Sequence, residues 1–106
     1  MAEVLNIEEL RDRIDVIDDQ LVRLLNARVA CAVEVGRLKH EAGLPIYQPD
    51  REARVLASVK KTALDLAGPL TADAVARIFE RIIDEARRAE RVASERRDAS
   101  SPSIGE

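Results

Sequence analysis

The sequence predicts an all-α fold, and three observations lead to that prediction. Hydrophobic residues make up 46% of the 106 residues and charged residues 35%, a composition typical of long helices. Apolar residues recur at alternating steps of three and four over long stretches, as on one face of an α-helix. Glycine and proline fall together at residues 43–45 and 68–69, between these stretches. We therefore predict three helices in one chain.

The first predicted helix runs from about Ile7 to about Glu41, because no proline interrupts this stretch. Asn6 and the two glutamates after Ile7 fit an N-cap and an acidic first turn. At 1.5 Å per residue, such a helix is roughly 50 Å long. Gly36 lies inside it at a cost of about 1 kcal/mol relative to alanine, which predicts the close approach of a neighbouring backbone.

Glycine and proline bound the second predicted helix on both sides. The segment 43–45 ends the first helix, with Gly43 as its expected C-cap. The second helix begins near Pro49 or Asp50, since proline is tolerated in a first turn, and Gly68-Pro69 stops it. Its apolar face is formed by Val55, Leu56, Val59, Ala63 and Leu66.

The third predicted helix opens at Thr71 and Asp73, and its apolar pattern ends after Ala89. Residues 94–106 contain Ser, Pro and Gly with almost nothing apolar, so we expect a frayed helix end and then a disordered tail. One helical domain of residues 1–93 is therefore expected. Its third apolar stripe consists of Val75, Ile78, Phe79, Ile82, Ile83 and Ala86.

Composition also excludes several classes of function. A net charge of −3 gives no reason to expect nucleic-acid or anionic-membrane binding. The lone Cys31, with neither a signal peptide nor an apolar stretch of membrane-spanning length, favours a reducing, cytoplasmic setting. Cys31 and the single His40 form no metal constellation, and no nucleotide-binding glycine motif occurs. A chain this short buries little surface alone, so oligomerisation is expected.

Arg28 interrupts the apolar stripe of the first helix. The stripe passes through Leu21 and Leu24, reaches Arg28 at the next step, and resumes at Cys31 and Val35. A cation on such a seam is desolvated at a cost of several kcal/mol unless an anion meets it. The position of Arg28 therefore predicts a local anion partner.

Lys39 shares the face of Arg28. It lies eleven residues further on, within about 20° of the same azimuth and roughly 16 Å along the axis. Their long side chains could converge on a small anionic molecule in a pocket inside a bundle. Lys39 equally fits the ordinary preference of cations for a helix C-terminus.

Three further charged residues carry two interpretations each. Arg11 lies about 25 Å before Arg28, so it reaches the same site only from a second chain packed across a two-fold axis; alone, it fits a solvated flank. Glu52 extends the apolar face of the second helix and could accept from a hydroxyl or cap the helix. Glu90 continues the third stripe, which implies a buried acid unless the helix is frayed at that point.

One polar pocket would explain all four interruptions, Arg28, Lys39, Glu52 and Glu90. The competing interpretation is a set of internal salt bridges, Arg28 with Glu52 or Lys39 with Glu90, and the pattern leaves both open.

Six motifs, in order along the chain, carry a resemblance to a known family. Over about residues 5 to 91 the sequence closely resembles the all-helical chorismate mutases. The motifs are Leu10-Arg11-Asp12-Arg13-Ile14-Asp15, Ile17-Asp18, Leu24-Leu25-Asn26-Ala27-Arg28, Ala32-Val33-Glu34-Val35-Gly36-Arg37-Leu38-Lys39, Pro45-Ile46 and Asp50-Arg51-Glu52.

The resemblance implies an intertwined homodimer of three-helix chains that forms a helical bundle. It implies a monofunctional, cofactor-free isomerase that converts chorismate to prephenate, a Claisen rearrangement in phenylalanine and tyrosine biosynthesis. Arg28 and the partner's Arg11 would grip the substrate carboxylates, supported by Arg51. Lys39 would donate to the ether oxygen, and Glu52 would accept from the ring hydroxyl. Conformational restriction and electrostatic stabilisation would supply the rate.

Three positions depart from the commonest bacterial pattern of that family. Gln48 stands where an aspartate often occurs, although the family contact there is largely through the main chain. Ala86 replaces a serine that adds a hydrogen bond to a carboxylate. Glu90 occupies the position of a glutamine that donates to the ether oxygen, and a glutamate donates only when protonated. The net direction of its pKa shift is not readable from the sequence, since burial raises the pKa and Lys39 lowers it.

Two alternatives stay open at this point. An isochorismate-pyruvate lyase shares the fold, although the intact Asp50-Arg51-Glu52 resembles the mutases better. A non-catalytic helical dimerisation module would instead pair its stripe charges internally. The resemblance also leaves open activation by the first enzyme of the shikimate pathway.

Overall fold

Three α-helices make up the fold. The computed structural model describes residues 6–45 and 47–100, and within these ranges it contains no strand. The helices are α1 (Ile7–Glu41), α2 (Pro49–Leu66) and α3 (Ala72–Ser100). The all-α prediction is confirmed, together with the predicted limits of α1 and the predicted start of α2.

The beginning of α1 is capped as its sequence predicts. The Asn6 side-chain Oδ1 accepts a hydrogen bond from the Glu9 backbone N–H at 2.8 Å. Glu8 and Glu9 also place negative charge in the first turn, where the helix dipole favours it.

At the other end of α1, Gly43 lies one residue beyond the cap residue Ala42 and adopts a left-handed φ of 69°. The Leu44 N–H donates to the Lys39 carbonyl at 2.8 Å, and the Gly43 N–H donates to the His40 carbonyl at 3.2 Å. This pair of bonds is a Schellman motif, which needs a left-handed residue at the position of Gly43. Gly43 therefore ends the helix, but from the position after the cap, because the cap residue is Ala42, one residue before the predicted Gly43.

The helix α2 ends at Leu66, just before Gly68-Pro69, where the sequence predicts that it stops. Ala67, not Gly68, adopts the left-handed conformation, with φ 50°, and its N–H donates to the Ala63 carbonyl at 3.1 Å. Pro69 disfavours helical geometry at Gly68, the residue before it, so α2 ends before Gly68. Thr71 then caps α3, its hydroxyl accepting from the Ala74 N–H at 3.0 Å.

The third helix is longer than its apolar pattern predicts. Residues 94–100 continue α3 to Ser100, where we expected a frayed end and the start of a tail. Alanine, glutamate and arginine are strong helix formers and need no apolar partner to continue a helix that is already nucleated. The rest of the expected tail, residues 101–106, lies outside the described residues.

The helix α3 is the centre of the protomer. It packs against both α1 and α2, whereas α1 and α2 do not pack against each other. Arg28 meets Phe79, and Gly36 meets Glu90, so α1 and α3 run parallel. Lys60 meets Asp73 and Glu52 meets Arg87, so α2 runs antiparallel to α3.

Most of α1 has no packing partner within the protomer. Every residue from 6 to 27 is exposed, and in the described part of the chain only Ala63, Ala76 and Ala86 are buried. The radius of gyration is 19.2 Å, against about 13 Å for a compact domain of this length. The exposed apolar side chains of this half of α1 are Ile7, Leu10, Ile14, Val16, Ile17, Leu21, Val22, Leu24 and Leu25.

No helix within residues 6–45 and 47–100 combines the length and apolar character that crossing a membrane requires.

Candidate functional site

A cavity of about 630 Å³ lies where the second half of α1, the first turns of α2 and the second half of α3 meet. Seven of the eight residues that the sequence analysis assigned to a site line it. They are Arg28, Lys39, Gln48, Arg51, Glu52, Ala86 and Glu90. Residues far apart in sequence are thus brought to one place by the parallel packing of α1 on α3 and the return of α2.

Arg11 is the predicted site residue that does not reach this cavity. It lies on the exposed first half of α1, about 25 Å along the helix axis from Arg28. Within one chain it contacts no site residue.

Arg28 is half-buried, lines the cavity and has no carboxylate partner among the described residues. Its guanidinium carbon lies 5.8 Å from the centroid of the Phe79 ring. Such a stack contributes roughly 0.5–1 kcal/mol and does not neutralise the cation. The internal salt bridge to Glu52, one of the two interpretations that the sequence left open, is not formed.

Lys39 forms no salt bridge with Glu90, the other pairing that the sequence left open. Instead its Nζ donates to the Gln48 side-chain Oε1 at 3.1 Å. An amide oxygen orients the ammonium group without cancelling its charge. Lys39 is half-buried and lines the cavity, so its cation remains available there.

Glu90 is half-buried and faces Gly36 across the α1–α3 contact. A Cβ built on Gly36 would lie 3.6 Å from Cγ, Cδ and Oε2 of Glu90, so the close neighbour is a side chain. The expectation that a backbone approaches Gly36 was therefore wrong. Burial raises the pKa of Glu90 above its ordinary value, and the nearby charges of Lys39 and Arg87 oppose this only in part.

Glu52 pairs with Arg87, a residue that the sequence analysis did not single out. The Arg87 Nη2 donates to the Glu52 Oε1, and Nη1 donates to the Asp84 Oδ1 at 3.0 Å. The Arg87 guanidinium carbon also lies 5.8 Å from the centroid of the Tyr47 ring. Arg87 lies four residues after Ile83 and three before Glu90, so helical spacing places it on the same face as these two residues. From this spacing Arg87 could have been predicted as a site residue.

The remaining lining residues shape the cavity wall. Arg51 is exposed at the cavity, whereas Ala86 is buried and contributes a methyl group, so no side-chain hydrogen bond can come from that position. In the described part of the chain, no cluster of three or more His, Cys, Asp or Glu residues could hold a metal ion.

Cations outnumber anions among these side chains. Four of them are cations, Arg28, Lys39, Arg51 and Arg87, and two are carboxylates, Glu52 and Glu90. The raised pKa of Glu90 reduces its negative charge further. A small molecule with two carboxylates and at least one hydroxyl or ether oxygen complements this arrangement.

The chain is similar to several known proteins. The family model described as chorismate mutase type II matches residues 10–91. The T-protein of Enterobacter agglomerans is 42% identical over 82 residues, which cover 77% of this chain and 21% of the relative. The bifunctional chorismate mutase/prephenate dehydratase of Aquifex aeolicus is 35% identical over 78 residues, covering 73% of this chain and 22% of the relative. The chain thus spans about a fifth of the length of these relatives.

Solved structures show the same arrangement of helices. The structure of chorismate mutase (form II) from Thermus thermophilus superposes with a TM-score of 0.75 at 32% sequence identity. The superposition covers 80% of this chain and 93% of that one.

Proposed function

This chain belongs to the chorismate mutase type II family, and from that premise we propose that it converts chorismate to prephenate. The observation that carries the proposal is the pair Arg28 and Lys39. Two half-buried cations line one cavity, and neither makes a salt bridge with a described residue. A dianionic substrate supplies the countercharge that both positions need.

The proposed reaction is an intramolecular rearrangement. The ether C–O bond of chorismate breaks while a C–C bond forms between the enolpyruvyl methylene carbon and the ring, so every atom and electron stays in one molecule. Such a step needs no nucleophile, oxidant or cofactor. The protein accelerates it by holding the reactive conformer and by placing positive charge and proton donors where negative charge develops, on the ether oxygen.

Each charged side chain of the cavity then has a proposed role. Arg28 and Arg51 bind the substrate carboxylates, since a guanidinium matches a carboxylate in charge and geometry. Lys39, oriented by Gln48, donates to the ether oxygen from one side, and protonated Glu90 donates from the other. Glu52 accepts from the ring hydroxyl.

We further propose that the active form is an intertwined homodimer in which each partner supplies Arg11. The exposed apolar face of the first half of α1 supports this, because a monomer of this size that exposes so large a contiguous apolar surface is unusual. A second copy packed across a two-fold axis covers that face and brings its Arg11 beside Arg28.

The lone Cys31 supports a cytoplasmic location.

Mixing two inactive variants tests the shared site. Arg11→Ala and Arg28→Ala homodimers are each expected to be nearly inactive. After unfolding and refolding together in equal amounts, the mixture should regain about a quarter of wild-type turnover, because half of the dimers are mixed and each carries one intact site. Arg28→Ala mixed with itself is the control. Mass spectrometry would show whether the mixture contains mixed dimers. If it does and turnover is not regained, the site is not shared: either Arg11 and Arg28 act in the same chain's site, or neither residue belongs to a site.

Product identification separates the mutase from its runner-up. Wild-type protein is expected to form prephenate from chorismate and no pyruvate from isochorismate, both followed by proton NMR. Pyruvate from isochorismate would assign the lyase, and the absence of any product from either substrate would favour a dimerisation module.

A further inference from the structure

Arg87 links three separate elements at the edge of the cavity. Its guanidinium donates to Glu52 in the first turn of α2 and to Asp84 one turn earlier on α3. Its guanidinium carbon also lies 5.8 Å from the ring centroid of Tyr47, in the loop between α1 and α2. The Arg87 side chain is 41% exposed and that of Glu52 is 26% exposed, so water reaches this pair only in part.

The pairing uses one oxygen of Glu52 and leaves the other open. Arg87 binds Oε1, and no hydrogen bond reaches Oε2 from any residue that the structure describes. Glu52 lines the cavity, so the open oxygen is the one that a substrate hydroxyl can use. The contact between Arg87 and Oε1 therefore restricts the orientation of the Glu52 carboxylate and of its open oxygen.

Charge gives this pairing a second consequence. A bare carboxylate at Glu52 would repel a dianionic molecule in the same cavity. Arg87 offsets that charge through its ion pair with Glu52, so Glu52 can accept a hydrogen bond while two substrate carboxylates bind nearby.

We propose that Arg87 is a positioning residue that offsets the charge of Glu52 and holds its open oxygen toward the ring hydroxyl of the substrate. This inference rests on the proposed function. It assigns a specificity role to a residue that touches the substrate only through Glu52, and Tyr47 supports it by stacking on the guanidinium.

Kinetics of Arg87→Gln test the proposal. We expect kcat/KM for chorismate to fall about tenfold, mostly through KM, because a hydrogen bond made alike in ground and transition states is lost. Arg87→Lys keeps the positive charge but not the planar guanidinium, so its kcat/KM should lie between those of the wild type and Arg87→Gln. Arg88→Gln is the matched control, since Arg88 is the next residue, is 68% exposed and pairs only weakly with Glu85 at 3.8 Å. It should match the wild type within about twofold.

A double-mutant cycle separates positioning from simple stapling of α2 to α3. If Arg87 acts through Glu52, adding Arg87→Gln to Glu52→Gln changes kcat/KM by less than about twofold. All variants are assayed well below their melting midpoints, so that lost stability does not enter. Additive effects of the two substitutions on kcat/KM would overturn this inference, and so would an Arg87→Gln protein as active as Arg88→Gln. In both cases, prephenate formation by the wild type would still uphold the proposed function. A wild type that makes no prephenate would overturn both.

Discussion

The Arg28→Ala protein is expected to lose at least about thirtyfold in kcat/KM for chorismate, because a charge-assisted contact between partly desolvated groups is worth about 2–5 kcal/mol. Its stability should barely change. Arg28 makes no salt bridge within the described residues, and the lost Phe79 stack contributes only about 0.5–1 kcal/mol. Steady-state kinetics and thermal unfolding by circular dichroism measure the two effects separately.

Arg81→Ala provides the matched control for Arg28→Ala. Arg81 lies on α3, its side chain is 73% exposed, and it pairs with Glu85 one turn away. Exposed pairs of this kind contribute about 0.3–0.5 kcal/mol, so activity and melting midpoint should both stay near wild type. If Arg28→Ala retains its fold and its kcat/KM is unchanged, Arg28 does not bind the substrate.

Turnover is expected to rise toward mildly acidic pH and to fall as pH increases through the raised pKa of Glu90. Protonated Glu90 donates to the ether oxygen, whereas the carboxylate form cannot donate and repels the charge that develops there. Burial raises this pKa, with Lys39 and Arg87 opposing. Above the pKa, the protonated fraction, and with it kcat, falls about tenfold per pH unit.

Glu90→Gln should flatten this pH dependence, because a carboxamide donates at every pH. The measurement is kcat from about pH 5 to about pH 8 for both proteins. A pH-independent profile in both proteins would contradict the assigned role of Glu90.

The same group links pH to stability, and the sign follows from proton binding. Folded protein holds the Glu90 proton to higher pH than the unfolded chain does, so the free energy of unfolding falls as pH rises from the ordinary glutamate pKa through the raised one. In Glu90→Gln this fall should be absent, which chemical denaturation at several pH values detects.

Local signals in the sequence predicted the helices well. The three-four stripe and the Asn6 cap determine where α1 begins, and the left-handed Gly43 with its Schellman bonds determines where it ends. These features involve residues only a few positions apart, so no knowledge of the tertiary fold is needed. The end of α3 was missed because helix propensity, without an apolar stripe, continues it to Ser100.

Seven of the eight predicted site residues line one cavity, but their pairings were not predicted. Helical periodicity places Arg28 and Lys39 on one face, but which carboxylate meets which cation depends on how α2 returns along α3. That packing gives Glu52 to Arg87 and leaves Arg28 on Phe79, a pattern that no spacing along one helix encodes. The sign of the Glu90 shift likewise depends on burial between two helices.

Prephenate formation by the purified wild-type protein, followed across mildly acidic to neutral pH, tests most directly whether the cavity between α1, α2 and α3 is a chorismate site. We expect turnover that is highest at the acidic end and that Arg28→Ala abolishes while Arg81→Ala leaves it intact. A folded, dimeric wild type that forms no prephenate at any pH would contradict the proposed function.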